Sequence, residues 1–161
     1  APVHFEKRLV ARFGDRLIPI RLDVTAKSSV RAACDEVTTQ SDALDILRRL
    51  PDASLTMVYL LHPDPWPKAR HAKRRMMNDG PLDLIASKMK PGGEFRVATD
   101  DPTYLNWALM IMQRHTDRFE WLVKQPGEWL DYPSGWLETR YAAKARRQGR
   151  EPHQFRYKRL G

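Results

Sequence analysis

Apolar and polar positions alternate along this chain in a way that predicts helices and strands in turn. Residues 3–13 read as a helix, and 17–22 as a short strand whose Pro19 argues for an edge position. Residues 30–37 read as a second helix. Ser41-Asp42 supplies an N-cap for a helix over 43–50, which Pro51 ends. The unbroken apolar run 55–61 predicts a buried strand. Asn78-Asp79-Gly80-Pro81 opens a helix whose Leu82, Ile85, Ala86 and Met89 share one face. Lys90-Pro91-Gly92-Gly93 turns the chain into a strand at 94–99. Asp100-Asp101-Pro102 then caps a helix marked by Leu105, Ala108, Leu109 and Met112. A strand at 119–122, a loop over 124–136, a helix over 137–148 and a last strand at 154–158 complete the pattern. Such alternation predicts an α/β fold with a mainly parallel sheet and helices on both faces. Ligands of such folds bind at the carboxyl ends of strands, where Asp64 and Asp100 fall.

Composition narrows the class. The 161 residues suit one domain. No apolar run is long enough to span a membrane, and the N-terminus carries no secretory signal pattern. The single Cys34 excludes an internal disulfide and fits a cytoplasmic protein; it reads as a small buried residue rather than a nucleophile. The five histidines show no metal-ligand spacing, so no metal is expected, and no phosphate-binding loop or nucleophile elbow is present.

The net charge of +8 is concentrated in two islands. Residues 139–161 contribute +7 and residues 68–75 contribute +5, leaving a mildly acidic remainder of −4. Two basic islands on an acidic body form a footprint for a polyanion, with nucleic acid favoured over a membrane. The first island follows Pro63-Asp64-Pro65-Trp66-Pro67. Three prolines in five residues stop the strand ladder, since proline has no N–H to donate. They hold the carboxylate of Asp64 stiffly beside the cations.

Pro63-Asp64-Pro65-Trp66-Pro67-Lys68, with Arg70-His71 and Lys73-Arg74-Arg75, closely resembles the signature of the bacterial tRNA (guanine-N7-)-methyltransferases. Ser41-Asp42-Ala43, Lys90-Pro91-Gly92-Gly93, Ala98-Thr99-Asp100 and Thr139-Arg140-Tyr141 agree in order and spacing, so the resemblance covers residues 40–161. It implies a Rossmann-like class I methyltransferase fold. It further implies transfer of a methyl group from S-adenosylmethionine to N7 of a guanine in the tRNA variable loop. On this resemblance Asp42 and Asp64 bind the donor, and Asp64 is also the catalytic carboxylate. Lys68, Asp100, Thr139, Arg140 and Tyr141 contact the substrate, while Arg70, His71, Lys73, Arg74 and Arg75 contact RNA. The expected partner is tRNA, and the expected state is a monomer or homodimer.

The front of the chain departs from this pattern. Neither the Gly-rich turn after a first strand nor the acidic residue after a second is found, Gly14 being the only upstream glycine. The expectation is a single methyltransferase domain, residues 1–161, without the N-terminal Gly-rich donor-binding segment. Either intervening segments are missing from this sequence, or the chain lacks the motif. Ala142 stands where the family usually has Glu. Both departures support an alternative, a non-catalytic RNA-binding module of the same fold. Residues 20–33 faintly resemble a strand and helix of short-chain dehydrogenases, but none of the five tyrosines followed by position i+4 meets a lysine there.

Overall fold

The computed structural model describes residues 43–131 and 138–161, together with the backbone of two strands at 8–13 and 16–21. Six strands form one sheet in the order β2-β1-β3-β4-β6-β5. They are β1 (Arg8–Phe13), β2 (Arg16–Arg21), β3 (Leu55–Leu61), β4 (Met89–Thr99), β5 (Phe119–Trp121) and β6 (His153–Arg159). Among the described residues four α-helices accompany them: α1 (Ala43–Arg49), α2 (Asp79–Lys88), α3 (Pro102–Met112) and α4 (Arg140–Arg147). The predicted helix at 30–37 and Cys34 lie outside the described residues.

Two expectations need correction. Residues 8–13 are a strand, not part of a helix, and pair antiparallel with both β2 and β3. The apolar β3 would otherwise leave a row of backbone N–H and C=O groups open at a sheet edge. That tertiary demand outweighs a weak local helical signal. The sheet is also mixed rather than mainly parallel. Among the described strands only β3 and β4 run parallel, with α2 as their crossover, and the other four pairings are antiparallel. Alternation of helix and strand orders the elements, but it does not fix the end at which each strand enters the sheet. The β2 strand does occupy an edge, as its Pro19 requires.

The central strands are sealed by Leu47, Leu82, Ile85, Tyr104 and Ala108 from the helices, packed with Val58, Leu60, Phe95, Val97 and Phe155. Within β4 the Lys90-Pro91-Gly92-Gly93 segment loops out, since Met89 faces Leu55 while Glu94 already faces Met57. Gly92 adopts φ +80°, in the left-handed region that glycine enters freely. A Cβ on Gly93 would sit 2.9 Å from the Lys90 carbonyl and 3.1 Å from that of Thr56. From Glu94 onward β3 and β4 are in register, with Leu61 opposite Ala98. The segments after both strands therefore leave the sheet at the same edge, side by side.

Candidate active site

At that edge the chain after β3 makes two abrupt changes of direction. His62 and Trp66 have φ values of +48° and +43°. These are left-handed conformations that cost a residue with a side chain on the order of 1–3 kcal/mol each. His62 begins the turn while its N–H still donates to the Ala98 carbonyl at 2.7 Å, one step beyond the strand ladder. Between the two bends lies Pro63-Asp64-Pro65, with the Asp64 side chain half-buried.

Arg75 holds this loop from within. It is buried, its Nε and Nη2 donate to the Pro65 and Trp66 carbonyls at 2.9 Å each, and its guanidinium lies 4.5 Å from the Trp107 ring centroid. Carbonyls displaced by a strained backbone have few partners, and a planar guanidinium satisfies two at once. Asn78 adds a second clasp, donating through Nδ2 to the Ala72 and Arg75 carbonyls. The loop is also tied to α3. Trp107 Nε1 donates to the Met77 carbonyl at 2.6 Å, and the Met77 N–H donates to the Tyr104 hydroxyl at 3.2 Å. Burial pushes the Tyr104 hydroxyl far above the usual tyrosine value; the Met77 bond and the Arg75 charge oppose this, and the Asp64 carboxylate adds to it. Asp64 and Arg75 thus both lie within electrostatic reach of one buried hydroxyl.

The other cations of the segment point outward. Lys68, Arg70, Lys73 and Arg74 are exposed on or beside a 3-10 helix at Ala69–Arg74. Arg74 lies over the Trp66 ring at 5.0 Å, and His71 meets the same ring edge-on at 5.6 Å. Trp66 therefore braces the basic segment.

After β4 the two adjacent acids divide their work. Asp101 caps α3, its Oδ1 accepting from the Tyr104 N–H at 2.8 Å, and its own N–H donates to Thr99 Oγ1. Asp100 takes other partners. Its Oδ1 lies 3.0 Å from His62 Nδ1, and its Oδ2 lies 3.1 Å from Arg150 Nη2. The His62 ring stacks on Tyr141 with centroids 6.1 Å apart. Thr139 caps α4, its Oγ1 accepting from the Ala142 N–H at 3.1 Å. That bond uses a lone pair of the hydroxyl and not its proton. Arg140 is exposed, and Ala142 is fully buried.

Of the residues singled out in the sequence, the structure joins Asp100 and Tyr141 through His62, and places Asp64 two residues beyond His62 on the neighbouring strand end. Asp42 lies outside the described residues. His62 and Arg150 were missed. Each is a long-range partner of Asp100, 38 and 50 residues away, and no local pattern marks such a pair. Among the described residues, no group of three or more His, Cys, Asp or Glu is arranged to hold a metal, and no helix is long and apolar enough to cross a membrane.

A mixed α/β sheet in which two adjacent parallel strands end next to the chain segments that carry Asp64 and Asp100 is consistent with a Rossmann-like class I methyltransferase fold. A family model described as "Putative methyltransferase" matches residues 27–155. The chain belongs to this methyltransferase family. It is 67% identical over 118 residues to the tRNA (guanine-N(7)-)-methyltransferase of Sphingopyxis alaskensis, covering 73% of this chain and 50% of that protein. Its identity to the proteins of the same name from Erythrobacter litoralis and Zymomonas mobilis is 63% and 60%, covering 73% and 75% of this chain and 51% and 52% of those proteins. The chain spans about half the length of these curated relatives.

Proposed function

We propose that the protein transfers a methyl group from S-adenosylmethionine to N7 of a guanine in the tRNA variable loop. The observation that supports this most is the placement of Asp64 and Asp100 after adjacent parallel strand ends, with the exposed cations Lys68, Arg70, Lys73 and Arg74 following Asp64 in the chain. Bound S-adenosylmethionine supplies an electrophilic methyl group on a cationic sulfur. A half-buried carboxylate such as Asp64 suits that positive end, and Asp42 would hold the donor with it.

Guanine N7 carries a free lone pair, so the protein need remove no proton before attack. Its task is to place the base in line and to stabilise the positive charge that methylation leaves on the purine. Asp64 does the latter electrostatically. The Asp100 carboxylate accepts hydrogen bonds from guanine N1–H and the exocyclic amine, donors that adenine does not offer in the same pattern. Lys68, Thr139, Arg140 and Tyr141 complete the substrate contacts, while Arg70, His71, Lys73 and Arg74 engage RNA. We place Arg75 inside the loop as its anchor and not on the RNA. With tRNA as substrate, the protein works in the cytoplasm.

Incubation with labelled methyl donor and unmodified tRNA, followed by mapping of N7-methylguanine, tests the proposal. Asp64→Ala should abolish transfer while leaving tRNA affinity within about twofold of wild type. Tight tRNA binding by the wild-type protein without transfer would select the non-catalytic RNA-binding module instead.

A further inference from the structure

We infer that His62 is a positioning residue that fixes the Asp100 carboxylate for the substrate base, and that Arg150 occupies the place the base will take. The inference rests on the proposed function and deepens it, since it explains how Asp100 keeps one orientation.

The two oxygens of Asp100 are held very differently. The His62 side chain is 4% exposed, whereas that of Arg150 is 52% exposed. An ionised carboxylate only accepts, so the proton between Asp100 and His62 lies on His62 Nδ1. The imidazole side of that bond is buried. Its ring stacks on Tyr141, and its backbone is tied to Ala98 at the end of the parallel ladder. Arg150, by contrast, follows α4 on the surface and also donates to Gln148 Oε1 at 2.7 Å. A solvated ion pair of this kind is weak and readily exchanged.

Each carboxylate oxygen has two lone pairs. Oδ1 can accept from His62 and still accept from a base, while Oδ2 becomes free once Arg150 turns outward. Guanine then presents two N–H donors to a carboxylate that is already oriented. The departing guanidinium belongs to the C-terminal basic island and is released beside the RNA backbone, where phosphate is its natural partner. His62 also explains the left-handed bend. At φ +48° its side chain reaches across from the end of β3 to the end of β4, linking the loop that carries Asp64 to the carboxylate that reads the base.

Two variants separate the hydrogen bond from the ring. His62→Asn keeps a donor close to the position of Nδ1 and tolerates the left-handed backbone, but loses the stack on Tyr141. His62→Phe keeps the ring and loses the donor. With the purified protein and unmodified tRNA, His62→Phe should lower kcat by about tenfold or more, the loss appropriate to a buried charge-assisted bond. Its tRNA dissociation constant should stay within about twofold, because the phosphate contacts are untouched. His62→Asn should remain within about threefold of wild type in kcat. The reverse order, with His62→Phe active and His62→Asn slow, would overturn the inference, as would equal losses in both. A long-range proton–nitrogen NMR spectrum of the wild-type ring should find the proton on Nδ1; a ring protonated on Nε2 alone also overturns it. This measurement needs no turnover. If wild-type protein methylates no tRNA the proposed function fails, and the position of the imidazole proton still decides whether His62 holds Asp100.

Discussion

Replacing Arg75 with alanine should unfold the loop over residues 62–75 without removing an exposed cation. Arg75 is one of five Lys or Arg residues between 68 and 75, and in sequence nothing separates it from its neighbours. In the structure it is 5% exposed and donates two hydrogen bonds of 2.9 Å to main-chain carbonyls. Charge-assisted bonds of this kind contribute about 1.5–3 kcal/mol each. A partly buried guanidinium over an indole adds about 1 kcal/mol. Truncation lets water reach some of the exposed carbonyls, so the expected loss is about 3–5 kcal/mol, a large part of the stability of an ordinary domain. Urea unfolding of Arg75→Ala should therefore show a much lower midpoint. Arg75→Lys, which keeps the charge and loses the planar fork, should recover little of it. Binding to tRNA as a function of salt supplies the second measurement. The slope of log affinity against log salt counts the phosphates neutralised, at about 0.7–0.9 per contact. Arg74→Ala should reduce the slope by about that amount and, losing only an exposed contact with Trp66, cost no more than about 1 kcal/mol, whereas Arg75→Lys under native conditions should leave the slope intact. An Arg75 variant with normal stability and a slope reduced by one contact would refute the anchoring role.

Two further predictions concern the sheet. Gln154 is 1% exposed, and neither polar atom of its amide finds a hydrogen-bond partner among the described residues. Gln154→Met, which removes the unsatisfied groups at similar volume, should raise stability by about 1 kcal/mol; a loss measured by urea unfolding would show that the amide has a partner. For Glu94, burial acts to raise the pKa, but hydrogen bonds from Arg96 and Arg156, and then their charges, outweigh it and hold the carboxyl below its ordinary value of 4.5. A carboxyl lowered on folding stabilises the protein above its unfolded pKa and loses that contribution as pH falls through the folded value. Glu94→Gln should therefore be less stable than wild type at pH 7, and the difference should shrink below about pH 4.5. A difference that stays constant down to pH 3 would remove Glu94 from the acid response.

The sequence by itself determined the parts that local rules govern. The run 55–61 reads as a strand, and it is β3 residue for residue, with Leu55, Val58 and Leu60 buried and the positions between them half-buried. Pro51, Pro102 and the Gly92-Gly93 turn punctuate the chain where their missing N–H or permissive φ demands it. The Pro-Asp-Pro-Trp segment with its basic tail was legible as a stiff loop, because three prolines in five residues end the strand ladder. Strand direction and pairing were decided only in three dimensions. The segment at 8–13 is extended because β3 needs a neighbour, and β6 enters antiparallel because the chain returns to the sheet from the opposite end. The same holds for the division of roles among like residues. Asp100 and Asp101 are adjacent acids, yet one meets His62 and Arg150 and the other caps a helix. Arg74 and Arg75 are adjacent cations, yet one meets solvent and the other is locked onto two carbonyls. Charge and spacing are local properties, whereas burial and partnership depend on residues such as Trp107, Tyr141 and His62 that only folding brings into reach.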